Sequence, residues 1–284
     1  MLTRLGNIGL GLIGGSLALA LKRAFPDVYI MAMEVDGGVV EWATTHGMVD
    51  EWVHGHDGFR ACDWVILASP TPTIPHHLWA LNSIQGSSYI LSDVSSVKSP
   101  ILIACRDAQW RYPMVWMHPM AGKEVGGIQH ADARLLVNRP MLIMGDEGLA
   151  MTKVSNWVAK LPMTVVPMGL NEHDNVVGVA SHWPYLMAML TVRVAKKMGV
   201  AGLSDVVSSG FYDTTRVAAS SADWGMGILT ANQAVLRQAI HVLRQELMVL
   251  ESDGGLSELQ SDALKNWIKE GRDYRNGLFP IAPI

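Results

Sequence analysis

Gly9-Leu10-Gly11-Leu12-Ile13-Gly14 stands between a short apolar run and the apolar-periodic stretch 17–25. The spacing predicts a strand, a tight turn and a helix start. Gly9 permits the turn, Gly11 lets a phosphate approach the backbone, and Gly14 lets the helix pack closely on the strand. Leu12 and Ile13 open that helix, whose unpaired N–H groups and positive dipole end suit a pyrophosphate. A glycine turn alone is a weak signal, but the next strand-like run, 28–33, ends at Glu34, twenty residues past Gly14. A carboxylate there can accept hydrogen bonds from both hydroxyls of an adenosine ribose. No Arg or Lys follows closely enough to hold a 2′-phosphate, so the expected cofactor is NAD rather than NADP.

The elements that must position this turn follow from the alternation around it. Short β-branched or aromatic runs at 63–68, 88–91, 115–117, 140–144 and 164–166 alternate with helical stretches, which predicts a mostly parallel, doubly wound sheet of the Rossmann type. After Gly169 the pattern becomes almost entirely helical. The expected division is a nucleotide-binding domain over 1–169 and an all-helical substrate and dimerisation domain over 170–284. A long apolar helix over 171–198 carries Pro184, which removes a backbone donor and predicts a kink near His182. A second helix, 223–251, shows so broad an apolar face, including Leu236, Ile240, Leu243 and Leu247, that it is expected to be buried. Ser257 with Gln260 has the spacing of a capping box before a last helix presenting Leu264, Trp267 and Ile268. These helices alone make a thin core, so pairing with a second copy in a homodimer is expected.

The 284 residues, 49% hydrophobic, suffice for about two domains. A net charge of −4 without a basic block offers no electrostatic footprint for nucleic acid or an anionic membrane. The apolar runs 8–21 and 176–194 are interrupted by glycines in one and by His182, Pro184 and Arg193 in the other, so they read as core. With no secretory signal at the start, the expected location is the cytoplasm. Cys62 and Cys105 have neither the spacing of a metal site nor the number for a disulfide framework. No bound metal is expected.

Four further segments, with the glycine turn, carry a resemblance over essentially the whole chain: Ser92-Asp93-Val94-Ser95-Ser96-Val97-Lys98, His118-Pro119-Met120-Ala121-Gly122, Ser181-His182-Trp183-Pro184, and Ser209-Gly210-Phe211-Tyr212-Asp213-Thr214-Thr215-Arg216. In order and spacing they resemble the prephenate/arogenate dehydrogenase family of tyrosine biosynthesis. The resemblance implies an active site in the cleft between a dinucleotide-binding and a helical dimerisation domain, where a cyclohexadienol loses hydride to NAD and its ring carboxylate as CO2. It implies His118 as the base for the hydroxyl proton, a task suited to a group titrating near neutral pH. Ser96 would hydrogen-bond the substrate hydroxyl and the base, and Arg216 would clamp a carboxylate through two parallel hydrogen bonds. His182 and His173 would line the substrate side, with Asp174 following His173. Ser69-Pro70-Thr71 and Asp93 would lie along the cofactor, and Lys98 would support its loop.

Tyr212 stands where many relatives carry a basic residue, and Lys123 follows the His118 motif where a threonine is frequent. The added cation suits prephenate over the less anionic arogenate. Arogenate and an amino-substituted prephenate analogue stay open as substrates. A 3-hydroxyacid dehydrogenase is disfavoured because 171–193 holds no lysine. A non-catalytic NAD sensor would need none of His118, Ser96 and Arg216.

Overall fold

A computed structural model describes residues 1–251 and 262–278. Strands β1 (Arg4–Ile8), β2 (Tyr29–Met33), β3 (Glu51–Trp52), β4 (Trp64–Leu67) and β5 (Ile90–Asp93) make a wholly parallel sheet in the order β3-β2-β1-β4-β5. Helix α1 (Leu12–Ala24) connects β1 to β2, α2 (Gly37–Thr45) connects β2 to β3 and α3 (Ile74–Ser83) connects β4 to β5, the crossovers that parallel strands need, while α4 (Ser99–Ala104) follows β5. In β4 all four residues are buried, Trp64 and Ile66 in one apolar cluster and Val65 and Leu67 in the other. Both faces are therefore covered, and this is why the strand is apolar throughout rather than alternating.

Strands β6 (Trp116–Pro119), β7 (Arg139–Met144) and β8 (Met163–Pro167) form a second set, joined to β5 through a parallel bridge between Leu91 and Met114. Here the expected parallel winding gives way: β6 runs antiparallel to β7, whereas β7 and β8 are parallel. The reason lies in the connections. Between β6 and β7 there are only two 3₁₀ turns, Ile128–His130 and Ala133–Leu136, and no crossover helix. Between β7 and β8 stands α5 (Leu149–Val158), whose Trp157 packs 5.3 Å from Trp64.

Beyond β8 the described chain is helical: α6 (Leu170–Val177), α7 (Trp183–Met198), α8 (Leu203–Val206), α9 (Ser209–Thr215), α10 (Ala222–Ala231), α11 (Gln233–Glu251) and α12 (Asp262–Leu278). The kink expected near His182 takes the form of a single π turn, Gly178–His182, between α6 and α7. Pro184 then sits in the first turn of α7, where a missing N–H costs least. The helix expected over 223–251 is broken at Asn232, whose φ and ψ of −113° and 31° leave the helical region. The capping box at Ser257 and Gln260 lies outside the described residues.

By compactness the chain divides at another place than by secondary structure, into Met1–Val235 and Leu236–Ile284. Helices α6 to α10 belong to the first unit with the sheet. In the second, Trp267 Nε1 donates to Glu246 Oε2 at 2.8 Å. The apolar face expected to be buried is only partly covered among the described residues: Leu236 is buried, whereas Ile240, Val242 and Leu247, with Trp267 and Ile268 on α12, are exposed. Among the described residues, no helix is long and apolar enough to cross a membrane.

Candidate active site

The glycine turn is built as the residues require. Gly9 has φ +90°, and a Cβ on it would lie 2.7 Å from the backbone nitrogen of Ser69; a Cβ on Gly14 would lie 2.1 Å from the carbonyl oxygen of Gly9. Neither position admits a side chain. At Gly11, the N-cap of α1, a Cβ would meet nothing within 4 Å, and the helix has neither a side-chain cap nor an acid in its first turn. The first amides of the helix, those of Leu12 and Ile13 among them, have no carbonyl partner within it, and with no acid in the first turn they suit a pyrophosphate. Asn7, a buried amide within β1, donates to Gly14 O at 3.0 Å and holds the turn from beneath.

Glu34 closes the other side. Its Oε2 accepts from Leu10 N at 2.9 Å, and Oε1 from Val35 N at 2.8 Å and Asp36 N at 3.1 Å. With about four acceptor positions on a carboxylate, roughly one remains, so Glu34 can take one ribose hydroxyl rather than the expected two. Next to Gly9, Ser69-Pro70-Thr71 is braced by Thr73, whose Oγ1 is 2.9 Å from Ser69 Oγ and 2.8 Å from Pro70 O.

The histidines converge on the end of β6. His118, only 8% exposed, places Nδ1 2.9 Å from His173 Nε2. His173 Nδ1 lies 2.7 Å from Asp174 Oδ1, and the Asp174 carboxylate also accepts from Lys98 N at 2.8 Å, Ser99 N at 2.7 Å and the Ser99 hydroxyl. Burial opposes the charge of Asp174, but hydrogen bonds from His173, Lys98 N–H and Ser99 outweigh it and hold the carboxyl well below the usual range. Being ionised, it can only accept. The tautomers follow from that constraint: His173 carries its proton on Nδ1, so its Nε2 accepts, so His118 donates from Nδ1 and bears a lone pair on Nε2. Burial, then the positive charge of Lys98 and the neighbouring His173 and His182, push the His118 pKa well below its ordinary value. His118 is a neutral imidazole with its basic nitrogen turned away from its protein partner.

His182 is the opposite tautomer. The Asn232 amide donates to Asp174 O at 2.7 Å and to His182 Nδ1 at 3.1 Å, leaving the His182 proton on Nε2. Burial pushes its pKa down to about 4. The break at Asn232 thus has a cause: the side chain leaves the helical run to join the chain of bonds under the histidines.

Not every expected residue stands where it was placed. His173 is fully buried and lies behind His118, so it supports the base instead of lining the substrate side. Asp93, expected along the cofactor, is also fully buried; its Oδ2 is 2.7 Å from Lys98 Nζ and bonded to Ser95, while Oδ1 has no partner. A carboxylate closed off in this way anchors Lys98 and does not reach a nucleotide. Lys98, buried with it, also donates to Met117 O at 2.7 Å and Ser95 O at 2.9 Å, fastening the Ser95 loop to the residue before His118. Ser96 is half-buried and its hydroxyl has no hydrogen bond among the described residues, to His118 or otherwise. Arg216, half-exposed, is paired with Glu124, two residues past Gly122. Lys123 Nζ is 2.8 Å from His130 O and is spent on its own loop.

Sequence reading missed Asn7, Asn232 and Glu124. The only signal for the first two was an amide in an otherwise apolar stretch, and for Glu124 there was none.

A family model described as prephenate dehydrogenase, nucleotide-binding domain, matches residues 17–165, and one described as prephenate dehydrogenase, dimerization domain, matches 170–270. The chain belongs to the prephenate dehydrogenase family. It is therefore an oxidoreductase with a nucleotide-binding domain. The prephenate dehydrogenase of Bacillus subtilis is 27% identical over 283 residues, spanning 95% of this chain and 74% of that protein. The cyclohexadienyl dehydrogenase of Zymomonas mobilis is 25% identical over 278 residues, spanning 95% and 94%. The prephenate dehydrogenase from A. aeolicus, solved with hydroxyphenyl propionate and NAD+, has the same fold, with a TM-score of 0.85 at 23% identity, covering 98% of this chain and 99% of that one.

Proposed function

We propose that this family member oxidatively decarboxylates prephenate to 4-hydroxyphenylpyruvate, with NAD, as a cytoplasmic homodimer in tyrosine biosynthesis. The observation that carries the reading is the chain from Asp174 through His173 to His118, which leaves a neutral imidazole nitrogen free to take a proton. His118 Nε2 accepts the proton of the ring hydroxyl as its carbon becomes carbonyl-like. NAD supplies the two-electron acceptor for the hydride on that carbon. Loss of CO2 from the ring then yields an aromatic phenolate, which takes the proton back from His118 to become the phenol, and aromatisation makes the reaction effectively irreversible. His118 needs no new orientation when it gains charge, because its Nδ1–H keeps donating to His173.

Ser96, with its hydroxyl unengaged, can bond the substrate hydroxyl. His182 Nε2–H is a donor suited to an acceptor oxygen. Arg216 keeps most of its five donors beyond those given to Glu124 and can hold a substrate carboxylate. The buried free thiols Cys62 and Cys105 suit a reducing compartment. The exposed apolar side chains of α11 and α12, in the region matched by a dimerization-domain family model, support pairing of two copies. A monomeric mass in light scattering at micromolar concentration would remove the dimer.

Arogenate is the second reading. The Lys123 ammonium, the added cation that suits prephenate, is already bonded to His130 O and so has less to offer a second substrate carboxylate. The deciding experiment follows NADH absorbance with prephenate, arogenate and a 3-hydroxyacid side by side. Prephenate is expected to have the highest kcat/KM; a strong preference for arogenate replaces it as substrate, and silence with both cyclohexadienols ends the enzymatic assignment.

A further inference from the structure

At a distance in sequence from the catalytic histidines, three other imidazoles converge. His56 opens the 3₁₀ turn His56–Ala61 that follows β3, and His76 and His77 lie in the first turn of α3. His56 Nε2 and His77 Nδ1 are 3.0 Å apart. The His76 ring centroid is 5.9 Å from that of His56 and 5.5 Å from that of His77, and one nitrogen of each ring lies within 4.8 Å of the others. We propose that His56, His76 and His77 form a binding site for a divalent transition-metal ion of the zinc class, a role separate from the dehydrogenase reaction.

Donor type and spacing both support this. Neutral imidazole is a favoured ligand for zinc, copper and nickel, and a tetrahedral ion with bonds of 2.0–2.1 Å holds its donors about 3.4 Å from one another. His56 and His77 are already near that separation, and His76 is exposed, so its ring is free to turn the remaining distance. Three protein donors leave one position for water. His77 offers no barrier of charge: burial, then the neighbouring His56 and His76, bring its pKa down to about 4, so the ring is neutral at pH 7. One hydrogen is shared between His56 Nε2 and His77 Nδ1. On metal binding it passes to the other nitrogen of the ring that carries it, so both rings stay neutral and no proton must leave. The positive end of α3 opposes a cation here, and the neighbouring Asp57 carboxylate acts in the opposite sense. An ion at this point would fasten the His56–Ala61 turn to α3 just beyond the Ser69 to Thr73 bracing. Nineteen residues between His56 and His76, in place of a compact ligand motif, hid the site in the sequence.

The test is isothermal titration of zinc chloride into the full chain, freed of any purification tag and of metal. The catalytic histidines are a competing site, so wild type is compared with His118→Asn and with a His56→Gln, His77→Gln double variant whose fold is verified by circular dichroism. One equivalent per chain is expected in wild type and in His118→Asn, with a rise in Tm of about 5 °C at a hundredfold excess over Kd. The double variant should bind about a hundredfold more weakly or not at all, and should lose the visible d–d absorption that cobalt(II) gives with wild type. No binding by wild type overturns the proposal. So does binding that survives the double substitution or vanishes in His118→Asn.

Discussion

The nucleotide turn and the histidine chain are built from different materials. The turn is backbone: Gly9 and Gly14 are there for the side chains they lack, and the Leu12 and Ile13 amides do not titrate. The histidine chain is side chain to side chain, drawn from β6, α6, the π turn and the break at Asn232, and each member holds its place through the protonation state of the next. A site of the first kind fails by steric collision and is indifferent to pH. A site of the second kind fails by a proton in the wrong place.

The sharpest way to test that contrast is His118→Asn, which keeps size and polarity but removes the base. A fall in kcat of about two to four orders of magnitude is expected, with NAD affinity unchanged by titration calorimetry. Undiminished turnover would take His118 out of the mechanism. Asp174→Asn comes next. An amide can donate where the carboxylate only accepts, which turns the His173 tautomer over and with it that of His118. A kcat loss of about one to three orders is expected, again with NAD binding intact; a loss of NAD affinity instead would make Asp174 a mere structural cap on α4.

Gly14→Ala should give the reverse pattern. Its Cβ collides with Gly9 O, so a cost of about 2–3 kcal/mol is expected in denaturant midpoint together with weakened NAD binding. Loss of turnover at full NAD occupancy would erase the distinction between the two regions.

The smallest effect is that of pH. His118 and His182 have folded pKa values below the ordinary value of about 6.5. The unfolded chain therefore binds these protons first, so the stability tied to the neutral rings is complete above about pH 6.5 and is lost as pH falls toward 4. Thermal melts should show Tm declining over that window. The acid limb of kcat/KM should lie below pH 6.5, and a limb at or above it would mean that His118 is not held neutral.

Legibility in the sequence followed the same division. Four strands of the five-stranded parallel sheet and its turn were readable because their determinants are local: apolar runs, a glycine spacing and an acid at the end of β2; the two-residue β3 is too short to carry such a run. Antiparallel β6 was not, because a strand's direction depends on whether the connection after it crosses over, and 120–138 carries no pattern that says so. His118 and Ser96 entered only through the family resemblance. Burial of His173 and Asp93 could not be read at all, since each depends on a partner far along the chain: Asp174 reaches back to Lys98 and Ser99, and Lys98 forward to Met117. The apolar face of α11 was correctly seen as apolar, but amphipathic periodicity does not say whether the cover comes from the same chain.

The π turn carries one more implication. In an unbroken α-helix at about 100° per residue, positions nine apart, such as His173 and His182, project to opposite sides. Five residues wound more loosely bring the second ring back by most of a quarter-circle, so that both can meet around Asp174 and Asn232. Phase along a single helical run, rather than any contact, is what lets one continuous segment furnish both the prop for the base and the opposing donor. Deleting a residue within 178–182 would restore a more regular helix and scatter the site.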